Sequence, residues 1–223
     1  MKAHYPPLPS RDDLLALLRA ALTNAKGLLD DAELLADARR FPRALALATL
    51  SWEELSKADL CVPAAALTEI TADYFWEHFR DHEGKLARVH AFGTFMQPKP
   101  LYPTEDWIRN INSMSKSSQN LKERSLYVDY RRGKILTPSQ VTERVARKQI
   151  KAVREALIFA EKAFSEEPAR MMFTELNSIA GPLKNSMIAE PDATAAALQE
   201  AIRDGSLARI QSLAAKYANV PDD

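Results

Sequence analysis

The chain has 223 residues, 46% of them hydrophobic and 27% charged, and its 30 basic and 30 acidic residues leave no formal net charge. That is enough for one large domain or a domain with an appendage, and the charge balance excludes a global pull toward nucleic acid, so any such contact needs a local basic patch. The lone cysteine, Cys61, excludes an internal disulfide; with no apolar leader in MKAHYPPLPSRDD and no bilayer-length apolar run, the expected location is the cytoplasm, with no membrane contact.

Only six glycines, among long runs rich in Ala, Leu, Glu, Lys and Arg, predict a nearly all-α fold. The prolines of HYPPLP make an extended lead-in, after which Ser10 is a helix N-cap with Asp12 and Asp13 in the first turn. The first helix carries an apolar stripe of Leu14, Leu18, Ala21, Ala25, Leu28, Ala32, Leu35 and Ala36, whose four alanines let another helix approach closely. Phe41-Pro42 breaks the run, and a second helix is expected to end before Val62-Pro63. A third is expected from near Ala64, continuing through the histidine-rich stretch toward Phe92.

MQPKPLYPTED reads as a proline-rich loop and EDWIRNINSMSKSSQNLKER as a polar, weakly patterned fourth helix. Around Arg132-Gly133, β-branched and aromatic residues predict a short extended element and turn near 125–136. Thr137-Pro138 opens a long helix from about Ser139 to Ala163, and further helices interrupted at Gly181-Pro182, Pro191 and Gly205 finish the chain.

Two helices carry polar residues on apolar faces. At about 100° per residue, Glu54 falls in the stripe of Leu47, Leu50, Ser51, Ala58 and Cys61, while Glu53 lies on its flank, one turn before Lys57, as an i,i+4 ion pair. A carboxylate on a core face is costly unless it is paired or protonated. On the expected third helix, His78, His82 and Lys85 share one polar ridge bordered by Phe75, Phe79 and Leu86.

Three readings of that ridge stand open. Histidines at i,i+4 can ligate zinc, although HFRDH lacks the glutamate after the first histidine and no Glu-x-x-His occurs. Histidines beside cations are also the residue types for metal-free cleavage of a phosphodiester, which needs a proton acceptor, a proton donor and a positive contact for phosphate. In the third reading they hydrogen-bond core polar groups or face solvent.

The segments NAKGLLDDAELLADARRFPRALALATLSWEELSKADL, FWEHFRDHEGKL and LKERSLYVDYRRGKILTPSQVTERVA, in that order between Leu14 and Ala163, resemble the AbiV family of bacterial phage-defence proteins. The resemblance implies a HEPN-like helical bundle over residues 10–163, with 164–223 as a C-terminal helical extension packed on it. It further implies an abortive-infection effector, expected to act as a metal-independent ribonuclease or translation inhibitor, and a homodimer with no cofactor and no metal. RNA, the translation machinery and a phage-encoded activator are the partners it suggests.

Carried onto this chain, His78, His82 and Glu54 are the catalytic candidates, with Glu54 orienting a histidine. Lys85, Lys57 and Arg124 are candidate phosphate contacts, and Glu53, Tyr127 and Asp129 line the cleft. The usual signature of the wider class, an arginine four to six residues ahead of a histidine, does not occur here; Lys85 with His90 comes nearest. That departure keeps a second function open, a non-enzymatic module that binds a phage protein or sequesters a translation component.

Overall fold

In a computed structural model, residues 5–66, 70–95, 105–131 and 133–164 are described, with a few isolated positions after 189. The proline-rich stretch 96–104 and most of the C-terminal extension fall outside the described residues. Six helices and one two-stranded hairpin make up the described part, an all-α bundle as its composition predicts.

Helix α1 (Arg11–Asp37) starts where the sequence places it: the Ser10 side chain accepts the Asp13 N–H, and Asp12 and Asp13 sit at the positive end of the helix dipole. Its C-terminus closes with the Arg40 N–H donating to the Leu35 carbonyl at 2.8 Å and the Ala38 N–H to Leu34 at 3.0 Å. This cap needs a left-handed residue, and Arg39 supplies it at φ 60°. Glycine would occupy that position at lower cost, by about 1 kcal/mol.

Helix α2 (Phe41–Ala66) returns along α1 and is the hub of the molecule, packing on α1, α4, α5 and α6. Ala21, Ala25, Ala32 and Ala36 of α1 and Ala44, Ala48 and Ala58 of α2 are buried together, and the Ser51 hydroxyl donates to the Ala25 carbonyl at 2.6 Å across the seam. The expected end of α2 before Val62-Pro63 is corrected: the helix runs through Pro63 to Ala66. Ala64 and Ala65 are buried in the core, and that packing offsets the hydrogen bond the proline removes.

The expected single third helix is also corrected. The chain forms α3 (Ala72–Arg80), breaks at Asp81, and resumes as α4 (His82–Phe95). Helix α5 (Glu105–Leu126) packs on α2 and α4. Strands β1 (Asp129–Arg131) and β2 (Lys134–Leu136) then pair antiparallel, Tyr130 opposite Ile135, with Gly133 at φ 76° in the turn. The long helix expected from about Ser139 starts later: Pro138–Gln140 forms a 3-10 turn, Thr142 stands at a new N-cap, and α6 (Glu143–Ala163) lays Ile150, Val153 and Leu157 against α1 and α2. Among the described residues no helix is long and apolar enough to cross a membrane.

Candidate active site

The break at Asp81 builds the site. Its carboxylate accepts the Glu83 N–H at 3.0 Å and the Gly84 N–H at 2.9 Å, and its carbonyl accepts the Lys85 N–H at 3.1 Å. Asp81 thus ends one helix and caps the next, a local option that asparagines and aspartates offer the backbone in place of helix continuation. Gly84 makes room for it: a Cβ there would lie 2.5 Å from Asp81 Oδ2. Restarting the helix puts His82 in the first turn of α4 with Lys85 three residues on, so both side chains reach the same face of α2.

There they meet Glu53, which is 2% exposed in the middle of α2. His82 Nδ1–H donates to Glu53 Oε2, and Lys85 Nζ lies 3.5 Å from the same oxygen. Lys122 of α5 donates to Glu53 Oε1 at 2.5 Å. Three helices therefore converge on one carboxylate. Burial pushes the Glu53 carboxyl up, but the hydrogen bonds from Lys122 and His82 outweigh that and hold it below its usual range. Burial pulls the Lys85 ammonium below its ordinary value, opposed by Glu53.

Both lysines are buried, whereas 56% of the His82 side chain is exposed. With Nδ1 turned inward to the carboxylate, the other ring nitrogen, Nε2, is the one left to solvent. Two ammoniums from different helices thus share one buried carboxylate, with Glu54 and Lys57 close enough to bear on Lys85 as well.

The two glutamates are placed otherwise than expected. Glu53, not Glu54, is the buried carboxylate bonded to a histidine, and Glu54 instead pairs with Lys57 at 2.5 Å near the surface. The single-stripe argument fails because α2 is buried on several sides, so the flank of one apolar stripe is the centre of the next. Lys57 also lies over the Phe79 ring, 5.1 Å from its centroid.

The ridge of His78, His82 and Lys85 is likewise divided between two helices. His78 remains on α3, where its Nδ1–H donates to the Tyr74 carbonyl at 2.8 Å and its ring stacks on Tyr74 at 3.9 Å. Arg124 is exposed and donates to Gln140 at 3.2 Å; Tyr127 is mostly exposed just beyond α5, and Asp129 accepts the Tyr130 N–H. His90 is structural: it shares a hydrogen bond with Ser118, meets Trp52 edge-on at 4.9 Å, and burial lowers its basicity. Among the described residues no group of three or more His, Cys, Asp or Glu side chains is arranged to hold a metal.

Lys122 was the residue that sequence reasoning missed. It lies on a row of Ile111, Ser115, Ser118, Lys122 and Ser125, spaced four and three apart. Small serines at helical spacing in an otherwise polar helix mark a close-packed face, and a lysine in that row is a lysine turned inward.

The chain is a HEPN-type helical protein: the family model that matches it covers residues 13–158, from α1 through most of α6, and takes in every member of the Glu53 cluster. That model describes AbiV, and the chain belongs to the AbiV family of abortive-infection proteins. No curated protein and no solved structure matches it.

Proposed function

We propose that this AbiV-family defence protein acts as a metal-independent ribonuclease centred on Glu53 and His82. The observation that carries the reading is the carboxylate–imidazole pair set beside two buried ammoniums. A carboxylate hydrogen-bonded to Nδ1–H fixes the tautomer and leaves Nε2 as a proton acceptor at the surface, the arrangement that general-base catalysis requires. His82 then takes the proton of a ribose 2′-hydroxyl as its oxygen attacks the adjacent phosphorus; the P–O5′ bond breaks, leaving a 2′,3′-cyclic phosphate, and the departing 5′-oxygen takes up a proton to leave as a hydroxyl. Lys85 and Lys122 supply a fixed positive field for the charge that develops on the phosphate oxygens. His78, with Nδ1 engaged and Nε2 remaining, is the candidate second proton-transfer group.

The test is cleavage of cellular RNA by the purified full chain in the presence of a metal chelator, alongside toxicity on expression in bacteria. His82→Ala is expected to abolish both, and Glu53→Gln to reduce cleavage by at least 100-fold, on the order expected for losing a positioned base. Wild type and His82→Ala proving equally toxic would remove His82 from the mechanism.

The absent arginine–histidine signature favours a second reading, in which the bundle sequesters a translation component without chemistry. Toxicity that survives loss of both His78 and His82, and depends on a captured protein, would establish it.

A further inference from the structure

A second basic feature lies outside the Glu53 cluster. Where α1 turns into α2, Arg39, Arg40 and Arg43 line a groove of about 500 Å³, together with Phe41 and, from the end of α5, Leu126. All three arginines are exposed, and none makes a side-chain hydrogen bond or ion pair among the described residues. No carboxylate lines the groove. Some exposed arginines elsewhere are matched, Arg154 holding Glu33 at 2.7 Å and Arg147 holding Glu143 at 2.8 Å, while Arg11 and Arg144 are as unmatched as these three but stand apart from this groove.

Arg39 stands in the left-handed cap position where glycine fits best. At that position the cap carries a long cationic side chain into the groove. Immediately past Leu126 the chain displays Tyr127 and Tyr130, 64% and 69% exposed, on and beside a short hairpin. Unpaired guanidiniums track a phosphate backbone, and exposed aromatic rings offer faces to unstacked bases. A duplex keeps its bases stacked internally and has no use for those rings.

We infer that this arginine groove and the adjoining tyrosines form a binding track for single-stranded RNA, separate from the Glu53 cluster. The choice of RNA rests on the ribonuclease reading; the single-stranded, polyanionic character rests on the groove itself.

The test uses the full chain carrying His82→Ala, so that RNA is not consumed, and fluorescence anisotropy with a labelled mixed-sequence 12-nucleotide RNA. A 16-base-pair RNA duplex and a polyglutamate peptide serve as competitors. The single strand is expected to bind best. Arg40→Ala with Arg43→Ala should weaken it at least 10-fold and flatten the slope of log Kd against log salt by about 0.7 per lost phosphate contact.

Tyr127→Ala with Tyr130→Ala should weaken binding about 5-fold or more, with the salt slope kept, since stacking is not electrostatic. Arg39→Gly should weaken binding without lowering Tm, which separates lost contact from lost fold. Unchanged affinity in all the variants, or preference for the duplex, would overturn the track, and preference for polyglutamate would make it a site for an acidic protein. RNA bound through the arginines by a chain whose wild type cleaves nothing would leave the track standing and remove the ribonuclease reading instead.

Discussion

The two seams of α2 are built from opposite materials. Toward α1 it buries alanines and leucines, with a single serine–carbonyl hydrogen bond crossing the interface. Toward α4 and α5 it buries Glu53 with Lys85 and Lys122, and has Trp52 against His90, while α4 and α5 are joined by the Ser115 hydroxyl donating to the Glu83 carbonyl at 2.5 Å. Close aliphatic packing gains from the hydrophobic effect and dispersion at little desolvation cost. A buried ion cluster returns little net stability, because the attraction it gains is largely offset by the hydration it loses. The first seam is where packing holds the fold; the second gathers charge at little gain in stability, as the proposed activity would require.

The sharpest way to break that distinction is to remove the central charge. Glu53→Ala strands two buried ammoniums and should lower stability by about 3–5 kcal/mol in urea unfolding, besides ending activity. Replacing Glu53, Lys85 and Lys122 together by methionine should restore stability to within about 1 kcal/mol of wild type or above it, with no activity restored. A triple variant as unstable as Glu53→Ala would mean that the cluster holds the fold after all.

The aliphatic seam should respond the other way. Ala32→Leu, at a position with no exposed surface, overpacks the α1–α2 contact and should cost about 1–3 kcal/mol. RNA cleavage per folded molecule should stay at the wild-type rate. A fall in cleavage as large as that of Glu53→Gln would show the two seams to be coupled.

The same contrast governs how much was legible in the sequence. The α1 stripe, the Ser10 cap, the hairpin around Gly133 and the α6 helix were readable because each rests on local periodicity or turn chemistry. The site was legible only in part. His82 and Lys85 were placed correctly as neighbours, but Glu54 was chosen over Glu53, since helical phase locates one apolar face and α2 has several. The break at Asp81 was hidden because FRDHEGKL has helical composition throughout, and only Asp81 followed by Gly84 three residues on betrays the cap. Lys122 comes from 69 residues away in sequence, a distance over which periodicity carries no information.

Gly84→Ala tests that cap with a smaller effect. Alanine raises helix propensity by about 1 kcal/mol, while its Cβ displaces the Asp81 carboxylate and forfeits a cap of about the same worth. Stability should therefore change by less than about 1 kcal/mol, read as Tm, yet cleavage should fall because the first turn of α4 positions both His82 and Lys85. Full activity in Gly84→Ala would mean that the cap shapes the chain but not the site.

The smallest effect expected is in the response to acid, and its sign follows from the polar seam. Burial holds His90 below its ordinary 6.5, so between 6.5 and its folded value the unfolded chain binds more protons, and stability falls as pH drops through that window. Glu53 lies below its ordinary 4.5 despite burial, because Lys122 and His82 favour the ionised form; its contribution is intact above 4.5 and is lost as pH falls through the folded value. Lys85, lowered by burial from 10.5, acts at the other end: the unfolded chain keeps its proton longer there, so stability rises with pH toward 10.5. Tm measured against pH should begin to fall just under 6.5 in wild type. In His90→Gln, which keeps a polar partner for Ser118, the first step should disappear and the fall should start only near 4.5. Superimposable profiles would remove His90 as the source of the first step and leave Glu53 as the titrating group of the polar seam.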